Sequence, residues 1–244
     1  MRAVVEGGVT LAERVGDAAA GPCEPARIRV LIVDDHRAFA GALVFAIDLH
    51  PDLMSVGTAA SIAEAMACLE VANPDVILMD IRLPDGDGID ATARILERRP
   101  DARIVILTGH TDVEVLARAA SAGACGFLPK ESSVTSVISA IRAVRTGEML
   151  VEGSTLAAIL GRVAVGSRSP TSSGEAVLFS PRERDVLERM GQGMDPHAIA
   201  AALGISLHTC RGYQKAIMAK LDAHSQLEAV VVAARRGHLP RIAI

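Results

Sequence analysis

Between Ile28 and Arg145 the chain alternates, almost without a break, between apolar runs of strand length and amphipathic stretches of helix length. Few architectures accept such a text. The strand-like runs are IRVLIV (28–33), LMSVGT (53–58), VILMD (76–80), RIVILT (103–108) and CGFLP (125–129). The helical stretches run from Arg37 to Leu49, Ser61 to Val71, Gly88 to Arg98, Asp112 to Ala122 and Ser133 to Arg145. Near-continuous apolar strands are buried on both faces, which needs helices above and below a parallel sheet, joined by right-handed crossovers. The expected fold is therefore an α/β doubly wound sheet of five parallel strands. With Trp absent, one Tyr and four Phe, its core must come from Ala, Val, Ile and Leu.

The chain of 244 residues is long enough for two domains. Its apolar runs are strand-sized, far short of the roughly 20 residues that span a bilayer, so no membrane helix is expected. Residues 1–26 interrupt every apolar run with charges such as Glu6, Glu13, Arg14 and Asp17, which argues against a secretory leader and for a cytoplasmic protein. Cys23, Cys68, Cys125 and Cys210 have no metal-ligand spacing and read as buried free thiols. Four segments follow: a disordered N-terminal extension (1–26), the α/β domain (27–148), a linker (149–178) holding a short helical stretch and a Ser/Gly/Pro-rich tract, and a helical domain (179–244). Residues 27–148 carry 12 Lys and Arg against 17 Asp and Glu, net −5, whereas residues 179–244 carry 9 against 6, net +3. A basic tail domain beside an acidic one points to a nucleic-acid partner.

In a doubly wound sheet, ligands bind beyond the carboxyl ends of the strands. Those ends carry Asp34 and Asp35, Asp80, Thr108, and Pro129-Lys130. Three carboxylates gathered there raise one another's pKa unless a cation neutralises them, and hard oxygen donors suit Mg²⁺ or Mn²⁺. The arrangement expected is phosphoryl transfer by positioning and charge neutralisation. Asp80 is the nucleophile; Asp35, Asp34 and the backbone carbonyl of Arg82 complete the metal site around it. Lys130 pairs with a phosphoryl oxygen and Thr108 donates its hydroxyl to another. Pro84, Gly86 and Gly88 shape the turn that leaves Asp80 open.

In the tail, Ser180-Pro-Arg-Glu183 is a helix start with a capping box, and Ser225-Gln-Leu-Glu228 repeats the pattern. Four helices are expected: Pro181–Met190, Pro196–Leu203, Leu207–Leu221 and Gln226–Arg236. The second and third, joined by a turn at Gly204, have helix-turn-helix spacing. Cys210, Ile217 and Leu221 make the inward stripe, with Tyr213 or Gln214 filling the turn between. Arg211, Gly212 and Lys215 then face outward, where Arg and Lys read guanine edges or hold phosphates. Thr209 and Lys220 join them as candidate DNA-binding residues.

The motifs LIVDDH, VILMDIRLPDGDGI, IVILTGH and AGACGFLPK resemble, in order, the landmarks of the flavodoxin-like receiver domain of two-component response regulators. FSPRERDVLERMGQG, IAAALGIS and HTCRGYQKAIMAKL resemble the LuxR-type helix-turn-helix domain. The pair resembles a response regulator of the NarL/FixJ class. That resemblance implies a sensor histidine kinase as phosphodonor to Asp80, a requirement for Mg²⁺, and a switch pair of Thr108 and Phe127. It also implies double-stranded DNA as target, a homodimer once phosphorylated and paired through the last helix (here Leu227, Val230, Val231 and Ala234), and RNA polymerase as a further partner. Departures from the family pattern are Phe127 for the commoner Tyr, Cys210 for Val, Tyr213 for His, and Asp195-Pro196 at the start of the motif. The rival expectation is a receiver whose C-terminal helices bind protein and no longer recognise specific DNA. A metal-dependent aspartyl-phosphate hydrolase is ranked below both, since the chain offers no cap domain and no general acid beside Asp80; the protein is not read as an enzyme.

Overall fold

The computed structural model describes residues 27–109, 112–166 and 177–239. The expected extension (1–26), the middle of the expected linker (167–176) and residues 240–244 lie outside the described residues, as does Cys23. The elements of the first domain are β1 (Ile28–Val33), α1 (Arg37–Asp48), β2 (Leu53–Ala59), α2 (Ile62–Ala72), β3 (Val76–Asp80), β4 (Arg82–Leu83), β5 (Gly86–Asp87), α3 (Gly88–Arg98), β6 (Arg103–Thr108), α4 (Val113–Ser121), β7 (Gly126–Pro129) and α5 (Val134–Arg145). The rest of the described chain is helical: α6 (Gly153–Gly166), α7 (Pro181–Gly191), α8 (Pro196–Leu203), α9 (Leu207–Leu221) and α10 (Gln226–Arg235).

Five strands form one parallel sheet in the order β2-β1-β3-β6-β7. The apolar run of β3 is fully buried from Val76 to Met79. Its alternate side chains feed two cores: Ile77 and Met79 pack with α2 and α3, and Val76 and Leu78 with α1 and α5. Each such side chain contributes roughly 1.5–3 kcal/mol of burial, so the order of strands, and with it the meeting of their ends, is strongly specified.

The short loops start helices with side-chain caps. Ser61, Asp87, Asp112 and Ser133 each accept a backbone N–H from the first turn that follows, which satisfies donors that otherwise go unpaired. The tail does the same at Ser180, Asp195, Ser206 and Ser225. The Ser180–Glu183 capping box is complete. The second box is not: Ser225 caps the Glu228 N–H, but the Glu228 carboxylate takes the His224 N–H at 2.6 Å instead of that of Ser225.

The expected linker differs most from its sequence reading. Its helical stretch is a fourteen-residue helix, α6, whose Leu156, Ile159, Leu160 and Val163 are buried against α4 and α10. One continuous apolar cluster runs from Leu116, Ala117 and Ala120 of α4 through α6 to the helices of the tail. The two domains are thus packed together, with α6 set against both α4 and α10 and α10 also meeting α4 directly. Among the described residues, no helix is long and apolar enough to cross a membrane.

Candidate functional site

The carboxyl ends of the central strands bring the expected pocket together. Val33 pairs with Met79, so Asp34 follows one strand where Asp80 ends its neighbour. The Lys130 N–H donates to the Thr108 carbonyl at 2.9 Å, which fixes the start of the loop after β7 beside β6. Asp35, Asp80, Arg82, Thr108 and Lys130 line a single cavity of about 490 Å³. Gly88 packs against the backbone that carries Asp80: its N–H donates to the Ile81 carbonyl at 2.7 Å, and a Cβ there would overlap the Asp80 carbonyl oxygen. The turn glycine is therefore required by close approach, and Gly86 beside it holds a left-handed φ of 151°.

Lys130 is the hub of the pocket. Its Nζ lies 2.7 Å from Asp80 Oδ2 and 2.8 Å from Asp34 Oδ2, and 5.7 Å from the centre of the Phe39 ring. Partial burial works against its charge, but hydrogen bonds and attraction from Asp34 and Asp80 prevail and hold the ammonium above the ordinary lysine range. Asp34 is almost fully buried; its Oδ1 accepts the His36 N–H at 2.8 Å. The Asp34 Oδ2 atom is buried, and the Lys130 ammonium at 2.8 Å is the partner it has among the described residues.

Asp34, Asp35, His36 and Asp80 each present a donor atom within 4.8 Å of the others. This set fits a hard divalent cation: the carboxylate oxygens suit Mg²⁺, and the under-satisfied Asp34 oxygen is an acceptor with capacity to spare. Thr108 is buried at the end of β6 and Phe127 half-buried on β7, one strand over; their Cα partners in the ladder are Pro129 and Ile106.

In the tail, Cys210, Gln214, Ile217 and Leu221 form the buried stripe of α9. Gln214 and not Tyr213 fills the intermediate turn, at 1% exposure. Arg211, Gly212 and Lys215 are exposed, and a Cβ on Gly212 would meet nothing within 4 Å. Arg211 and Lys215 do not look into open space, however: they line a crevice with Asp101, Arg103, Thr146 and Gly147 of the first domain. Thr209 belongs to the cap of α9, its hydroxyl 2.8 Å from Ser206 Oγ. Lys220 sits apart from the other candidates; its ammonium is 2.7 Å from Glu183 Oε2, donates to the Leu178 carbonyl and lies over the Phe179 ring. In this conformation it is committed within the domain.

Sequence reading missed a clasp between the domains. Ser225 Oγ donates to the Ala124 carbonyl at 2.8 Å, Arg103 Nη1 to the His224 carbonyl at 2.8 Å, Arg235 Nη2 to Ser121 Oγ at 2.7 Å, and Gln226 Nε2 to the Gly147 carbonyl. Of the expected pairing stripe, Leu227, Val230 and Val231 are fully buried within the chain in the cluster that spans this interface, and Ala234 is half-buried.

Comparison with known proteins agrees with both halves. The family model for the response regulator receiver domain matches residues 30–142, and that for bacterial regulatory proteins of the luxR family matches residues 177–233. The DNA-binding transcriptional activator DevR/DosR of Mycobacterium tuberculosis is 33% identical over 208 residues, covering 84% of this chain and 94% of that protein. The transcriptional regulatory protein LiaR of Bacillus subtilis is 32% identical over 216 residues, covering 87% and 99%. Among solved structures, a two-component response regulator of the LuxR family from Aurantimonas sp. SI85-9A1 superposes with a TM-score of 0.52 at 30% identity, over 56% of this chain and 98% of that one.

Proposed function

Because the chain belongs to the response regulators that join a receiver domain to a LuxR-type helix-turn-helix domain, we propose that it is a two-component transcription regulator phosphorylated on Asp80. The observation that carries this reading is the convergence of Asp34, Asp35, Asp80, Thr108 and Lys130 at one rim of the sheet.

The phosphodonor is the phosphohistidine of a sensor histidine kinase. An Asp80 carboxylate oxygen attacks phosphorus in line; the new P–O bond forms as the P–N bond breaks, and the imidazole leaves with the bond's electron pair. Lys130, already at hydrogen-bond distance from Asp80, moves onto a phosphoryl oxygen as a point charge. Thr108 supplies a hydroxyl to a second oxygen from the neighbouring strand end. Asp34, Asp35 and the Arg82 carbonyl would hold Mg²⁺, which neutralises the charge gathered on the phosphoryl oxygens.

Output follows from a change in domain packing. With Arg211 and Lys215 lining a crevice against the first domain and the α10 stripe buried, the packed form presents neither a free recognition helix nor a free pairing helix. Phosphorylation, read by Thr108 and Phe127, biases the chain towards the separated form, in which Arg211, Gly212 and Lys215 enter a major groove and α10 pairs two protomers. The naming of DevR/DosR as a DNA-binding activator favours this over a tail that binds protein.

The test is selection of DNA from pooled genomic fragments, with and without acetyl phosphate and Mg²⁺. Enrichment of a paired half-site that strengthens on phosphorylation is expected. No enriched sequence in either state would return the tail to protein binding.

A further inference from the structure

The sheet order leaves β7 at an edge, with backbone groups facing outward that need partners. The segment just after α5 supplies them. The Phe127 N–H donates to the Leu150 carbonyl at 3.0 Å, and the Leu150 N–H donates to the Cys125 carbonyl at 3.1 Å, an isolated parallel bridge centred on Gly126. The fit is close enough that a Cβ on Gly126 would overlap Leu150 Cβ and its carbonyl oxygen and lie 2.8 Å from its Cα. Gly126 does not hold a left-handed φ, so the backbone of β7 would accept an alanine; only the segment packed on it would not.

The other end of this segment touches the tail domain. Gly147, in the left-handed conformation at φ 86°, turns the chain out of α5, and its carbonyl accepts the hydrogen bond from Gln226 Nε2 at the first turn of α10. Gln226 Oε1 accepts in turn from Gln214 Nε2 at 3.3 Å, on the buried face of the recognition helix. Gln214 Oε1 is buried without a partner among the described residues. The relay thus ends on an amide that gains a hydrogen bond when it reaches water, so the contact is poised to open.

Resting on the proposed switch role of Phe127, we propose that residues 147–151 are a strap that ties the edge of β7 to the tail domain. The strap couples the setting of Phe127 to the docking of α10 and α9. A groove of about 820 Å³ beside it, lined by Thr108, Phe127, Leu150 and Thr155, gives the Phe127 ring room to change position against the strap. Movement of Phe127 strains the bridge at Leu150; release of the bridge withdraws the Gly147 carbonyl from Gln226, and α6, which begins two residues after the strap, shifts with it.

Two full-length variants test the coupling from opposite sides. Gly126→Ala places a methyl group under the strap, and Leu150→Pro removes the N–H that bonds to Cys125. Hydrogen exchange reads the strap at the Leu150 and Phe127 amides, the two that bond across the bridge, and at Phe127 alone in Leu150→Pro; small-angle X-ray scattering reads the fraction of chains with separated domains, and far-UV circular dichroism confirms that the variants fold. Both variants are expected to speed exchange in the strap and raise the separated fraction, each by about tenfold for the loss of one or two hydrogen bonds. Strap exchange that rises while scattering stays as in the wild type would overturn the proposal, as would a strap that stays protected in both variants. Neither readout uses DNA or a phosphodonor, so failure here is distinct from failure of the regulator reading.

Discussion

Replacing Lys130 by methionine is the most informative single perturbation of the pocket. In the wild type one ammonium stands 2.7 Å from Asp80 and 2.8 Å from Asp34, and those side chains are 8% and 0% exposed. Methionine keeps most of the aliphatic stem and removes the charge, leaving two buried carboxylates facing each other with Asp35 nearby. Breaking a buried pair by removing one partner costs about 3–5 kcal/mol; Lys130 is itself partly exposed, so about 2–4 kcal/mol is expected at pH 7 without metal. Urea denaturation at matched slope measures it. Two dependences give the mechanism away. The deficit should shrink somewhat in high salt, which screens the repulsion left between the carboxylates. Mg²⁺ should stabilise the variant by about 2.7 kcal/mol once the ion is at a hundred times its dissociation constant, and wild type by less, because there the ammonium competes for the same oxygens; the deficit shrinks by the difference. A variant as stable as wild type, or one indifferent to Mg²⁺, would refute the idea that these carboxylates share one compensating charge.

Other outcomes follow from the tail domain. Arg211→Ala and Lys215→Ala should each weaken DNA binding and lower the slope of log affinity against log salt by about 1 if the lost contact is to phosphate; an unchanged slope would turn those side chains away from the duplex. Lys220→Met should destabilise the tail by about 1 kcal/mol, given how exposed the lysine is. Burial alone would raise the pKa of Glu183, but Lys220 and the Ser180 N–H outweigh it and hold the carboxyl below its ordinary value. A lowered carboxylate pKa contributes stability that is present above the unfolded value and lost as pH falls through the folded one. The difference between variant and wild type should therefore be constant near neutrality and close on acidification below about 4.5, the ordinary glutamate value.

Much of this molecule was legible in its text for a simple reason: parallel strands buried on both faces leave apolar runs that cannot be disguised, and the residues that end those runs necessarily share a rim. Asp34, Asp80, Thr108 and Lys130 were readable as neighbours because the strand order makes them so. The two-residue hairpin of β4 and β5 left no signal of its own beyond the turn residues of LPDGDG. The length of α6 was readable in the spacing of Leu156, Ile159, Leu160 and Val163, but the Ser/Gly/Pro tract behind it argued for a linker. The clasp was out of reach. Ser225, Gln226 and Glu228 read as a local helix start, and that start is real; that the same serine also reaches Ala124 depends on which surfaces meet, which no local pattern encodes. The sequence leaves Tyr213 and Gln214 both open for the inward turn, since a polar residue on an inward stripe makes sense only once Gln226 is seen opposite it.

The central claim is that Asp80 accepts phosphorus in a pocket assembled by the other strand ends. It is tested most directly by treating the full-length protein with acetyl phosphate and Mg²⁺, reducing the acyl phosphate with borohydride, and locating the modified residue by peptide mass spectrometry. Conversion of aspartate to homoserine at position 80, absent without phosphodonor and without Mg²⁺, is the predicted result. Modification elsewhere, with residue 80 untouched, would contradict the account.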